Sequence, residues 1–389
     1  MPNQFTDITS QGLGGSLTSS LRGLVFGLIF GVVSVPLLVW NEHRAIQTAR
    51  ALEETGSMVA TVSTDKVDPA HEGKPVYFTG KADTAQTLKD PQFGITAAAL
   101  KLERNAEIFQ WKEKEQSETR DKYGGGKETI TTYTYAAEWS DAPVNSSNFK
   151  HPEGHMNTSA TAFVGDFAVS ATDAHVGAFA VTGEVLAKLS ANQAVQLDEK
   201  SVEDAPPTLK PKLHLLSATE LFLGKDSQNP AIGDQRVSFK SLPPTEISVV
   251  AEQAGGGLHS HLAKSGATVL LVEPGVVGVQ EMFATAKSTN NTITWLVRLG
   301  GFILVFIGFF SLFRPFIALA GILPFLGTLA EIGAGFFAFI AAIVVTTITV
   351  AVAWFAVRPM LSLGLLAAAG VGFYLLHSRH KAVLQKQVG

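Results

Sequence analysis

The stretch WLVRLGGFILVFIGFFSLFRPFIALAGILPFLGTLAEIGAGFFAFIAAIVVTTITVAVAWFAVRPMLSLGLLAAAGVGFYLL, residues 295–376, decides what kind of protein this is. It is long and apolar, and Arg298, Arg314, Glu331 and Arg358 are its only charged residues. A bilayer-spanning helix needs about 20 mostly apolar residues. The runs 332–357 and 359–377 meet that length, and residues 292–313 meet it when Arg298 reaches up to the headgroups. Residues 314–331 are apolar but short, and they carry Pro315, Gly321, Pro324 and Gly327. They read as an in-plane or re-entrant segment with Glu331 near the interface, in preference to a broken helix or part of a longer span.

Working outward, residues 1–20 are polar, contain Asp7 as their one charge, and read as a flexible tail. Residues 21–40 end in an uncharged run closed by Trp40, which suits an uncleaved signal anchor with an aromatic residue at the interface. Ala45, Ile46, Ala49 and Leu52 recur at helical spacing, so this helix is expected to continue past the bilayer. Residues 378–389 form a basic tail.

The chain has 389 residues and a net charge of −4, with most of its charge between residues 41 and 287. No basic stripe speaks for nucleic acid. The absence of cysteine excludes disulfides, thiolate metal sites and a cysteine nucleophile.

Residues 41–291 carry mainly strand periodicity. Residues 97–114 read as a long strand answered by residues 129–139 across Gly124, Gly125 and Gly126. A turn centred there sets Trp111 opposite Trp139, with Phe109, Tyr133 and Tyr135 on the same face, best read as a hydrophobic sheet face covered by the rest of the domain. Residues 184–195 read as a short amphipathic helix, and the glycines at 255–257 as a second hairpin tip. Val279, Met282, Phe283 and Ala286 share one helical face, read as lying in the membrane interface.

Several motifs resemble one family. Asn41-Glu42-His43-Arg44-Ala45, with Thr48 and Ala49, follows the first span. Asp90-Pro91-Gln92-Phe93-Gly94, residues 106–111, Tyr133-Thr134-Tyr135, Glu138-Trp139, residues 145–149, Gly233-Asp234, Arg236-Val237-Ser238-Phe239, Lys264-Ser265-Gly266 and Arg358-Pro359 continue in order. Together they resemble the TMEM43 (LUMA) family of multipass membrane proteins over nearly the whole chain. The resemblance implies an N-terminal span, a large luminal domain and a C-terminal group of spans. It also implies a scaffold role with oligomerisation and, in animal members, residence in the endoplasmic reticulum and inner nuclear membrane beside lamina-associated proteins. The Ala- and Gly-rich spans point to a bacterial member, for which the inner membrane is expected.

The fold expected is therefore an α+β membrane protein: one N-terminal and three C-terminal transmembrane helices, plus the in-plane or re-entrant segment, enclosing a β-rich extracytoplasmic domain. Lys and Arg near the span ends bias orientation only weakly, so placing the termini in the cytoplasm follows the resemblance.

Chemistry is sparse. His259 and His261 share one side of an extended chain, and His151 and His155 flank a turn, but neither pair has an evident third ligand, so ordinary loop histidines are the better reading. There is no Gly-x-Ser-x-Gly elbow, phosphate loop or His-Glu-x-x-His helix. No enzyme activity and no cofactor are expected. The residues singled out are Arg298, Arg314, Glu331 and Arg358 as span-end anchors or helix-packing charges, with Met282 and Phe283 on the interfacial face. Small residues Gly333, Gly335, Ala338, Ala341 and Ala342 mark close helix packing. The leading expectation is a self-associating membrane scaffold, in contact with the bilayer and other membrane or envelope proteins. A channel or transporter using Glu331, or a lipid-binding membrane-stress protein, is the alternative.

Overall fold

A computed structural model describes residues 3–122, Gly124, residues 126–355, and Gly364, Ala367 and Val371. The expected span at 359–377, Arg358 and the basic tail lie outside the described residues, apart from those last three. The chain divides into two compact units. One comprises Met1–Asp7, Ala51–Gln116 and Thr132–Ala286, and the other Ile8–Arg50, Ser117–Thr131 and Lys287–Gly389.

Among the described residues, three helices are long and apolar enough to cross a membrane. α1 runs Leu13–Met58, α2 Val279–Ala320 and α3 Pro324–Phe355. α1 does continue beyond its apolar run, and its Ala51 and Leu52 are buried in the first unit. The stretch at 314–331 is not an element of its own. α2 passes through Pro315 and ends at Ala320. The chain then reverses in a tight turn in which Ile322 N–H donates to the Leu319 carbonyl and Leu323 N–H to that of Ala320. Pro324 opens α3, at a position where a missing N–H costs nothing and its fixed φ already suits a helix.

The first unit is β-rich. β1 (Gln4–Gln11) occupies much of the stretch expected as a flexible tail. β2 is Pro75–Asp83, β3 Lys101–Lys122, β4 Gly126–Ser140, β5 Leu213–Ser217, β6 Glu220–Leu223, β7 Gln235–Leu242, β8 Thr245–Ala254, β9 Gly257–His259 and β10 Leu271–Pro274. One sheet has the order β1-β4-β3-β7-β6-β5, with Phe167–Ser170 also on β3 and Gln193–Ala194 on β7. A polar strand such as β1 has little local signal, because strand formation depends on the neighbour it finds, here β4.

The second sheet closes on itself. β2 pairs with β8 from Ala82 opposite Thr245 to Pro75 opposite Glu252. β8 turns into β9 through Gly255 and Gly256, both at positive φ, as the glycine run predicts. β9 then meets Phe179–Ala180, which pairs with His175–Val176, which returns to β2 at Ala82. Closure removes exposed strand edges, and it packs Phe78 against Phe179 with ring centroids 4.9 Å apart. The expected helix at 184–195 shrinks to Gly183–Leu186, with a strand at Gln193–Ala194.

The long β3–β4 hairpin forms as expected, with its register moved. Ser117 faces Thr131 and Thr119 faces Thr129, each hydroxyl pair 3.0 Å apart. Phe109, and not Trp111, therefore meets Trp139, at 5.2 Å between centroids. Centring the turn one residue earlier, on Gly124, moves every opposite pair but leaves facing parity unchanged. The aromatic face is covered: Tyr133 and Tyr135 are buried, and Trp111, His151, His155 and Phe5 pack around them.

Candidate functional site

Within the helical unit, α1 and α2 approach along a ladder of small residues. Gly23, Gly27 and Gly31 recur every fourth position and so share one face of α1. A Cβ built on Gly27 would collide with the Ser311 side chain, and one on Gly308 would stand 2.9 Å from the Gly31 Cα. Such close approach gives helices in lipid their packing contacts. The spacing is legible in the sequence, where the hydropathy of the run overshadows it. On α3, Ala334, Ala338 and Ala342 are the buried small residues, while Gly333 is exposed.

At one end of this unit lies a buried polar clamp. Glu42 is fully buried, and Arg298 donates to it twice, Nε at 2.6 Å and Nη2 at 2.7 Å. Trp354 donates its indole N–H to the same carboxylate. The Arg298 guanidinium also lies 4.7 Å from the Trp295 ring centroid and 5.4 Å from that of Trp354. Beside this group, Arg44 donates to Asn290 Oδ1 (3.0 Å), Thr294 Oγ1 (3.2 Å) and Asn41 Oδ1 (3.3 Å), and Asn41 donates to the Thr294 carbonyl at 3.1 Å. Planar bidentate pairing fixes geometry as well as charge. Arg298, expected to reach to headgroups, is instead held by α1 and α3. The Asn41-Glu42-x-Arg44 motif supplies one wall of the clamp.

The other end holds a different arrangement. A cavity of about 350 Å³ is lined by Arg314, Glu331 and Lys127, by the hydroxyls of Ser16, Ser19, Ser20, Thr119 and Thr129, and by Gly321 and Gly327. The structure thus brings Arg314 and Glu331, expected as separate span-end charges, to one cavity, though they are not paired with each other among the described residues. Ser16 is 1% exposed, and its hydroxyl has no hydrogen-bond partner. The hairpin tip reaches this end: Gly124 N–H donates to the Ile322 carbonyl at 3.1 Å. Arg358 lies outside the described residues.

Met282 and Phe283 pack inside the first unit, where they are 1% and 8% exposed, against Ala51, Leu52, Val250 and Val269. Theirs is a packing face. The same unit buries an Asp90–Arg104 pair, Oδ2 to Nη1 2.9 Å. Asp90 also accepts from Gln92 and Phe93 N–H, so the Asp90-Pro91-Gln92-Phe93 motif is a turn locked from within. Burial lowers the Arg104 pKa, and the Asp90 charge opposes that shift. Tyr135 donates to Glu113 Oε2 at 2.5 Å, and burial, seconded by that bond, pushes its pKa up to about 12. Among the described residues no cluster of three His, Asp or Glu could hold a metal. His261 instead faces Glu252 at 2.9 Å.

Long apolar helices locked by a buried polar clamp, joined to a folded β-rich unit, define a multipass membrane protein with a large non-membrane domain. Comparison with known proteins narrows the class. The family model described as Transmembrane protein 43 matches residues 108–359. The mouse protein named Transmembrane protein 43 is 32% identical over 88% of this chain and 86% of its own length. The human protein of that name is 31% identical over 93% and 91%, and the Drosophila melanogaster homolog is 31% identical over 75% and 78%. The chain belongs to the transmembrane protein 43 family, as its motifs imply. No solved structure matches it.

Proposed function

We propose that the chain is a non-enzymatic membrane-organising scaffold that self-associates in the bilayer and displays its β-rich domain on the extracytoplasmic side. The observation that supports this reading is the saturated clamp. Both Glu42 oxygens are engaged by Arg298, and Trp354 adds a third bond, so three helices are tied together through one buried carboxylate. A buried ion pair of this kind serves fixed geometry better than it serves net stability. The outer face of α3 is apolar and exposed at Phe325, Ile332 and Phe336, where lipid and a second copy would pack. Partners on this reading are the bilayer, further copies of the chain and other membrane or envelope proteins. The membrane is the inner membrane in a bacterial host and the endoplasmic reticulum or inner nuclear membrane in a eukaryotic one.

Reconstitution tests it. In nanodiscs large enough for several copies, mass photometry should show one defined oligomer, and liposomes carrying the protein should show no ion flux. A monomer at every protein density would overturn self-association. Flux abolished by Glu331→Gln would replace the scaffold with a channel.

A further inference from the structure

The cavity at the Arg314 end carries features that a scaffold does not require. Its walls combine both signs of charge, Arg314 and Lys127 against Glu331, with a set of hydroxyls. Ser16, Ser19 and Ser20 stand at i, i+3 and i+4 and so line it from one face of α1. Thr119 and Thr129 line it from the hairpin as a cross-strand pair. Arg314 is set in place by Gly23, where a Cβ would come within 2.6 Å of its Nη1. A buried hydroxyl normally finds a partner, and Ser16, a residue of this cavity's wall, has a buried hydroxyl with none. That unanswered group is a second mark of a ligand, independent of the charges.

The composition of the walls selects the ligand class. A simple anion would be repelled by Glu331, and a simple cation by Arg314. A zwitterion with its charges a few bonds apart satisfies both. Phosphate suits a guanidinium, which offers it paired donors, and the Ser16 hydroxyl can add one more, whereas Ser19 and Ser20 already donate to the Ser16 carbonyl. A primary ammonium has three N–H donors for the Glu331 carboxylate and neighbouring oxygens. A quaternary ammonium has none, so phosphocholine would leave that half of the site unanswered. The cavity lies where the apolar runs of α1 and α2 end, at a level where headgroups meet a spanning helix. Phe310, Ile317 and Ala318 give it an apolar wall on α2 for the start of an acyl chain.

We propose that this cavity binds a phosphoethanolamine group presented by a bilayer lipid, with phosphate at Arg314 and the Ser16 hydroxyl and ammonium at Glu331. The test uses the full-length protein in nanodiscs containing equal parts of phosphatidylethanolamine, phosphatidylglycerol and phosphatidylcholine, read by native mass spectrometry after release into detergent. Phosphatidylethanolamine should be retained about tenfold over phosphatidylcholine, the discrimination expected for roughly one charge-assisted hydrogen bond. Glu331→Gln should move the preference to phosphatidylglycerol, and Arg314→Gln should reduce retention of both. Because either variant could misfold, the unmodified protein is also titrated with phosphatidylethanolamine and its mono-, di- and trimethylated forms. Its melting temperature should fall stepwise as N–H groups are lost. Equal stabilisation across that series, or equal retention of all three lipids, would overturn the proposal. Stabilisation by soluble O-phosphoethanolamine to the same degree as by the lipid would overturn the bilayer as the source.

Discussion

The two ends of the helical unit treat charge in opposite ways. At the Glu42 end, a carboxylate with no exposure is answered by a guanidinium and an indole N–H, and the neighbouring Arg44 is bound through its two terminal nitrogens by Asn41, Asn290 and Thr294, its Nε alone being left without a partner. At the other end, Arg314 and Glu331 line one cavity without an ion pair between them, and the buried Ser16 hydroxyl is left over. Charge that is already answered holds helices together. A charge and a hydroxyl left open, as at Arg314 and Ser16, are available to something from outside the chain. The same residue types therefore mean frame at one end and site at the other, and hydropathy alone scores them alike.

The comparison is broken most directly at Glu42. Glu42→Ala leaves Arg298 buried without its carboxylate, and loss of one partner of a buried pair costs about 3–5 kcal/mol. Denaturant unfolding in detergent micelles should show a loss of that size. The double change Glu42→Leu with Arg298→Met should recover most of it, because two apolar residues leave no charge unanswered. A single-variant loss below about 1 kcal/mol would mean that the clamp end is as open as the other.

The next effect sharpens what holds the clamp in register. Gly27→Leu drives a side chain into Ser311, and overpacking of this kind costs about 1–3 kcal/mol. Gly300→Leu, where a Cβ meets nothing within 4 Å, is the matched control and should be close to neutral in the same unfolding measurement. Equal losses at the two positions would remove the glycine ladder from the account. Smaller again is Trp354→Phe, which keeps a ring near Arg298 and removes only the N–H given to Glu42. Hydrogen bonds to charged groups are worth about 1.5–3 kcal/mol. The low end applies, since Arg298 still engages both carboxylate oxygens.

Much of this organisation was legible in the sequence, and the failures share a cause. The apolar runs, the continuation of α1, the long hairpin and the glycine tip at 255–257 all follow from local periodicity and turn chemistry. The clamp does not, because Glu42 and Arg298 stand 256 residues apart and each reads singly as a span-end charge. β1 is invisible for the same reason, since its partner β4 lies more than a hundred residues away. Residues 314–331 misled because two prolines inside one apolar run look like breakage. Pro324 is instead the first residue of a helix, and Pro315 lies inside one, as prolines in transmembrane helices often do.

The smallest effect has the most informative sign. Ser16→Ala removes a hydroxyl that is buried and unpartnered in the protein without a ligand. At the Glu42 carboxylate, truncating Arg298 or Trp354 breaks a bond and destabilises. Here nothing is broken, and a polar group no longer has to be held away from water without a partner. Deleting a buried, unsatisfied donor while keeping the packing is neutral to stabilising, by up to about 1 kcal/mol. Lipid-free protein in detergent should therefore unfold at the same or slightly higher denaturant concentration, whereas the stabilisation gained on adding phosphatidylethanolamine should shrink. Opposite signs for one methyl-sized change, set by whether lipid is present, cannot come from a hydroxyl that serves only the fold. A plain loss of stability without lipid would show that Ser16 is already answered, and the contrast between the two ends would then rest on Arg314 and Glu331 alone.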